Sequence, residues 1–140
     1  MVKVGDYELP DNLFYTDKHT WAKKEGDIIK VGVDSIGISL AGKIIFVRTK
    51  KAGKTIEQGK NFGTAEAGKG VIPLASPISG EIVTVNENAS GRNVKSVNED
   101  PYGEGWILTL KPTGDVNAEL GNLVSGDKIK TWAEEELKKI

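Results

Sequence analysis

The chain has 140 residues, a formal net charge of −1 and no cysteine, so disulfide frameworks, thiolate metal sites and cysteine catalysis are excluded. Near-neutral charge gives no global field toward nucleic acid or a membrane surface. With His19 as the only histidine, a histidine metal cluster or a Ser-His-Asp triad has little support.

No apolar run approaches the roughly 18–20 residues of a membrane span, and the opening MVKVGDYELPDNL has no apolar signal core. The expectation is a cytoplasmic protein with one domain over residues 1–140, its core at about 15–112 and a helical extension at about 113–140.

In chain order, DIIKVGV (27–33) reads as a strand rich in β-branched residues, one of four such runs of which several alternate core with solvent. DSIGISLAG follows as a short helical turn capped by Asp34. KIIFVRT (43–49), EIVTVNE (81–87) and WILTLKP (106–112) read as further strands, separated by glycine-bearing turns. In the tail, Ile129, Trp132, Ala133, Leu137 and Ile140 share one helical face behind a Ser125 or Asp127 cap. That face predicts an amphipathic helix packed on a β core.

An internal echo links two of the strands. Gly42-Lys-Ile-Ile-Phe-Val47 is matched by Gly80-Glu-Ile-Val-Thr-Val85. Gly53 and Gly91, then Ile56 and Val94, follow at equal offsets. Two similar β halves suggest a flattened barrel or sandwich with pseudo-twofold symmetry. Lys69 lies between the copies, where such an arrangement puts a hairpin tip.

Lys69 stands between Gly68 and Gly70 and admits three readings. Gly63-Thr-Ala-Glu-Ala-Gly68-Lys69 fits the first seven positions of a phosphate loop, G-x-x-x-x-G-K-[ST]. However, Gly70 replaces the magnesium-binding hydroxyl, Pro73 and Pro77 oppose the required helix, and Glu66 puts negative charge in the cradle. As a plain solvated turn, Gly68 and Gly70 would supply positive φ. As a modification site, they would keep the amine clear for a prosthetic arm, whose tethering raises effective concentration at successive enzymes.

Longer motifs bear on that choice. Tyr15-Thr16-Asp17-Lys18-His19-Thr20-Trp21, Val31-Gly32-Val33 and Phe62-Gly63-Thr64 lead to Glu66-Ala-Gly-Lys69-Gly70. Ser76-Pro77-Ile78-Ser79-Gly80-Glu81 and Asn98-Glu-Asp100-Pro101-Tyr102-Gly103-Glu104-Gly105-Trp106 follow. With these the chain resembles the glycine cleavage system H-protein family over nearly its full length. The family's patterns there are Y-T-x-x-H-E-W, E-S-V-K-A, S-P-I-S-G-E and N-x-D-P-Y-G-x-G-W.

The resemblance implies a mainly β, flattened barrel-sandwich hybrid of the lipoyl/biotinyl type, with short N-terminal additions and the C-terminal helix. It implies a non-catalytic carrier with lipoic acid on Lys69, attached by a lipoate ligase or lipoyl transferase. Biotin carriers usually flank the lysine with methionine, which is absent here. Glu66 looks like the acidic residue read by the lipoylating enzyme. Gly53 and Gly80 match family glycines that shape the loop and turn around the lysine, and Gly68 and Gly70 complete the hairpin. His19 and Trp21 are expected to organise the N-terminal strand. Neither catalytic residues nor a metal site are implied, and neither nucleic acid nor membrane is expected as a partner.

The match thins at the cargo. The family carries acids within H-E-W and shortly after the lysine, suited to a cationic aminomethyl group; this chain has Thr20 and Pro73. Lys43, Arg48, Lys50, Lys51 and Lys54 make a local basic patch where the family tends to be acidic. These departures favour the branch of lipoate-binding proteins that works with heterodisulfide-reductase-like enzymes in sulfur oxidation. The alternative is glycine cleavage itself, with the P, T and L proteins. An unmodified adaptor is a third possibility, opposed by the presence of Glu66, Lys69 and Gly80.

Overall fold

Short antiparallel strands, many rich in β-branched residues, are the main regular elements of the chain. The computed structural model describes all residues, Met1–Ile140. β1 (Val2–Val4) and β2 (Tyr7–Leu9) form an N-terminal hairpin, followed by β3 (Phe14–Tyr15), β4 (Thr20–Glu25) and β5 (Ile28–Val33). Next come α1 (Ser35–Ala41), β6 (Ile44–Thr49), β7 (Thr55–Ile56), β8 (Asn61–Ala67), β9 (Gly70–Ala75) and β10 (Gly80–Val85). α2 (Lys95–Glu99), β11 (Leu108–Pro112), α3 (Val116–Leu120) and α4 (Lys128–Leu137) complete the chain.

Six strands make one open sheet in the order β3-β4-β5-β11-β10-β7, and three make a second, β6-β8-β9. The main core lies between them. Ile29, Val31, Ile82, Leu108 and Leu110 of the large sheet share one buried cluster with Ile44, Val47, Phe62, Ala65 and Leu74 of the small one. Apart from Ala65, each such side chain stabilises the fold by about 1.5–3 kcal/mol relative to exposure. A second core, with Leu9, Tyr15, Trp21, Ile36, Ile129 and Ala133, joins the N-terminal hairpin, α1 and α4 to the back of the meander.

The echoed segments become β6 and β10, one in each sheet, which accounts for the repeat physically. Val47 and Gly91 exchange both backbone hydrogen bonds, at 2.9 and 2.8 Å. In the other copy, Gly53 N–H donates to Ile82 O and Ile82 N–H to Lys54 O, both at 2.8 Å. Each strand is thus tied to the glycine-bearing loop of the other repeat. The copies then diverge: Ile56 lies in β7, whereas Val94 precedes α2.

Asp34 caps α1 as expected, its side chain accepting from Gly37 N–H at 2.8 Å. The start of α4 differs. Asp127 is already helical (φ −64°, ψ −16°) and its carboxylate caps no amide. Turn-type bonds from Lys128 N–H to Ser125 O and Ile129 N–H to Gly126 O, both 3.2 Å, close the first turn instead. Ile129 and Ala133 are buried as predicted, but Ile140 lies past the helix and is exposed, while Glu136 joins the inner face.

Candidate functional site

β8 and β9 pair from Asn61↔Ala75 to Ala67↔Gly70, which leaves Gly68 and Lys69 as a two-residue turn. Lys69 is exposed and makes no ion pair. Neither Gly68 nor Gly70 has positive φ, and an added Cβ at either meets nothing within 4 Å. The plain-turn account of these glycines is therefore corrected: backbone conformation does not require them. Their effect is to leave the lysine without bulky neighbours. The next element is a strand, so no helix N-terminus faces Lys69 and the phosphate-loop geometry is absent.

The turn hangs from the end of α1 through its main chain. Lys69 N–H donates to Ala41 O at 2.7 Å and Gly68 N–H to Lys43 O at 3.1 Å. Between these acceptors Gly42 has φ +90°, and a Cβ there would lie 3.3 Å from Lys69 N. Only glycine suits that conformation and that approach.

The suspending segment is fixed at both ends by the long aromatic motif. Ser35 N–H donates to the Tyr102 hydroxyl at 2.9 Å, holding the start of α1. The Asn98 amide accepts from Ile44 N–H and donates to Ile44 O, both at 2.9 Å, holding the start of β6. Trp21 Nε1–H donates to Pro101 O at 3.1 Å, tying the motif to β4. Hence the motif shapes the mount of the lysine from a distance.

A cleft of about 380 Å³ opens beside the turn, lined by Lys18, His19, Leu40, Val71, Ile72 and Pro73 among others, with no carboxylate in its wall. His19 sits at its inner end in the left-handed region, φ 72°. Its Nδ1 is 3.0 Å from both Asp34 carboxylate oxygens, and its Nε2 is 2.7 Å from Glu136 Oε1. Burial opposes the imidazolium, but hydrogen bonds and charge from Asp34, then Glu136, outweigh it and raise the His19 pKa above 6.5. Gly37 is required here, because a Cβ would fall 2.5 Å from His19 Cβ.

Thr20 and Pro73, the two positions where the resemblance implied acids, are also defined. Thr20 is fully buried; its hydroxyl donates to Ala75 O at 2.7 Å and accepts from Thr16 Oγ1 at 2.7 Å. Pro73 is half-buried in the cleft wall and pairs with Thr64.

Comparison with known proteins gives the family. The model of the glycine cleavage H-protein family matches residues 13–136. The chain belongs to that family. Among H proteins, the probable glycine cleavage system H protein 2 of Sulfurisphaera tokodaii is 43% identical over 130 residues, covering 90% of this chain and 86% of the relative. Glycine cleavage system H protein 5 of Aquifex aeolicus is 41% identical, covering 85% and 83%. The crystal structure of the Mycobacterium marinum H protein superposes with TM-score 0.69 at 31% identity, covering 81% of this chain and 98% of that one. H proteins are lipoyl carriers rather than catalysts, and the mainly β sandwich with a C-terminal helix is theirs.

On this H-protein frame, Glu66 is exposed one rung from the turn, opposite Val71. Gly68, Lys69 and Gly70 share the tip, whereas Gly53 and Gly80 lie where β7 and β10 meet, Gly53 at φ +91° and Gly80 against Lys111 O. Sequence reasoning missed the Ala41–Lys43 mount and the His19–Asp34–Glu136 cluster. The repeat glycine at Gly42 was a usable signal for the first. Glu136, an acid within an apolar helical face, was one for the second.

Proposed function

We propose that this chain is a cytoplasmic lipoyl carrier with Lys69 as the attachment site and sulfur, not an aminomethyl group, as the cargo. The observation that carries the attachment is the bare, unpaired Lys69 amine on a turn whose main chain is fixed by Ala41 and Lys43. Such an amine is reachable by a ligase or transferase and can form an amide without disturbing packing. The lipoyl group would supply a dithiol–disulfide pair at the end of a long flexible arm. Its exposure beside the turn supports Glu66 as a recognition residue for the lipoylating enzyme.

The cargo reading rests on the cleft. A cationic aminomethyl group needs a carboxylate partner when sheltered from water. Here Asp34 and Glu136 both point at His19, the Thr20 hydroxyl is occupied by Ala75 O, and Pro73 offers no polar group. Lys18 and a His19 held toward its cationic form face the space instead. Sulfur bound to thiols needs no carboxylate, which favours heterodisulfide-reductase-like partners. The second reading, aminomethyl transfer with the P, T and L proteins, is favoured by the names of the relatives.

Intact mass from lipoylation-competent cells is expected to show one lipoyl group on the wild type and none on Lys69→Arg. An unmodified wild type overturns the attachment. Offered to glycine decarboxylase with glycine, the loaded wild type is expected to gain almost no aminomethyl group, and efficient loading overturns the sulfur reading.

A further inference from the structure

On the outer face of the β6–β8–β9 sheet, side chains of directly paired residues point the same way. Phe46, Glu66 and Val71 form the rung nearest the turn after Ala67↔Gly70, and Arg48, Thr64 and Pro73 form another two residues on. The β6 register shifts between Ile44 and Phe46, so the extra residue, Ile45, also turns outward. Ile45 is 55% exposed and Val71 57%, two of the few large apolar side chains left in water. The Arg48 guanidinium lies 5.1 Å from the Phe46 ring centre. Past Arg48 the chain adds Lys50 and Lys51, and residues 43–60 hold six cations against Glu57 alone in a chain of net charge −1. None of these six cations makes an ion pair.

We propose that this face is the docking surface for the enzyme that acylates Lys69, and that the enzyme presents an apolar patch with acidic groups opposite Arg48 and Lys50 and a basic group opposite Glu66. The inference rests on the carrier reading and extends it to a partner. An apolar centre with an aromatic-stacked arginine and a charged rim is the composition of a protein interface. Nucleic acid would use the cations but not the exposed isoleucine and valine. The acylating enzyme is the occupant because it must reach the end of the lysine side chain itself. Enzymes that act on the far end of a lipoyl arm can stand farther off. One side of the turn is already taken by Ala41 and Lys43, which leaves the outer sheet face for that close approach.

The test uses the full-length unmodified chain and the lipoylating enzyme of its own organism, with initial rates read by intact mass. Arg48→Glu combined with Lys50→Glu is expected to lower kcat/KM about tenfold at low salt through KM, with kcat unchanged and the gap closing as salt is added. Ile45→Ser is expected to raise KM with little salt dependence, and Lys128→Glu with Lys130→Glu on α4 to change nothing. Unchanged kinetics in both face variants would make the patch a solvated surface and overturn the proposal. So would an equal loss in the α4 variant, or saturable binding of a fluorescent oligonucleotide abolished by Arg48→Glu/Lys50→Glu. A wild type that is never acylated defeats the carrier reading itself, whereas acylation indifferent to the face defeats only the docking surface.

Discussion

His19 is the only histidine, so its imidazole gives a single titration curve by NMR. Asp34 and Glu136 raise its pKa above 6.5 against the opposing effect of burial, and Lys139 lies 2.8 Å from Glu136 on the outer side. A raised folded-state value stabilises the protein fully below the unfolded pKa, and that contribution is lost as pH rises through the folded value. The unfolding midpoint is therefore expected to fall as pH rises from the ordinary histidine value of 6.5 through the raised folded-state one. Glu136→Gln should move the NMR curve to lower pH and reduce that loss. A His19 pKa at or below 6.5 contradicts the arrangement. The sequence exposed His19 and the Asp34 cap separately. It could not show that Glu136, 117 residues from His19, completes the cluster, because nothing local marks that contact.

Among the elements, α1 matters most to the site, because its last carbonyl and the one two residues on hold the turn. Gly42→Ala places a Cβ in a glycine-only conformation and against Lys69 N, with an expected cost of about 1–3 kcal/mol. The same change should slow lipoylation of Lys69 more than Gly68→Ala does, since a Cβ at Gly68 meets open space. Comparing the two modification rates by intact mass checks this. The four strands rich in β-branched residues and the capped α1 were legible from sequence. α2 and α3, five residues each, were not, since so few residues carry no helical periodicity. The N-terminal hairpin was missed for the same reason: three-residue strands around Gly5 are too short to show alternation.

Across the whole molecule, two cores divide the work. The sandwich core holds the sheets, while the second core fastens α4 and the N-terminal hairpin to α1. Ile129→Ala, at a fully buried site in the second core, is expected to cost about 2–5 kcal/mol by chemical denaturation. The pseudo-twofold repeat predicted the sandwich because each copy supplies a strand to a different sheet. It could not predict the second core, which joins residues from both chain ends. The lysine's position at a tip followed from the repeat, but the identity of its mount needed three dimensions.

The suspension of the turn by peptide groups alone has a further consequence. Nothing in the fold depends on what the amine of residue 69 bears, so charge and bulk can come and go there without a thermodynamic toll on the scaffold. Under the proposed attachment at Lys69, visiting enzymes would meet one unchanging shape through every stage of the cycle, and would have to learn the state of the passenger from the passenger itself.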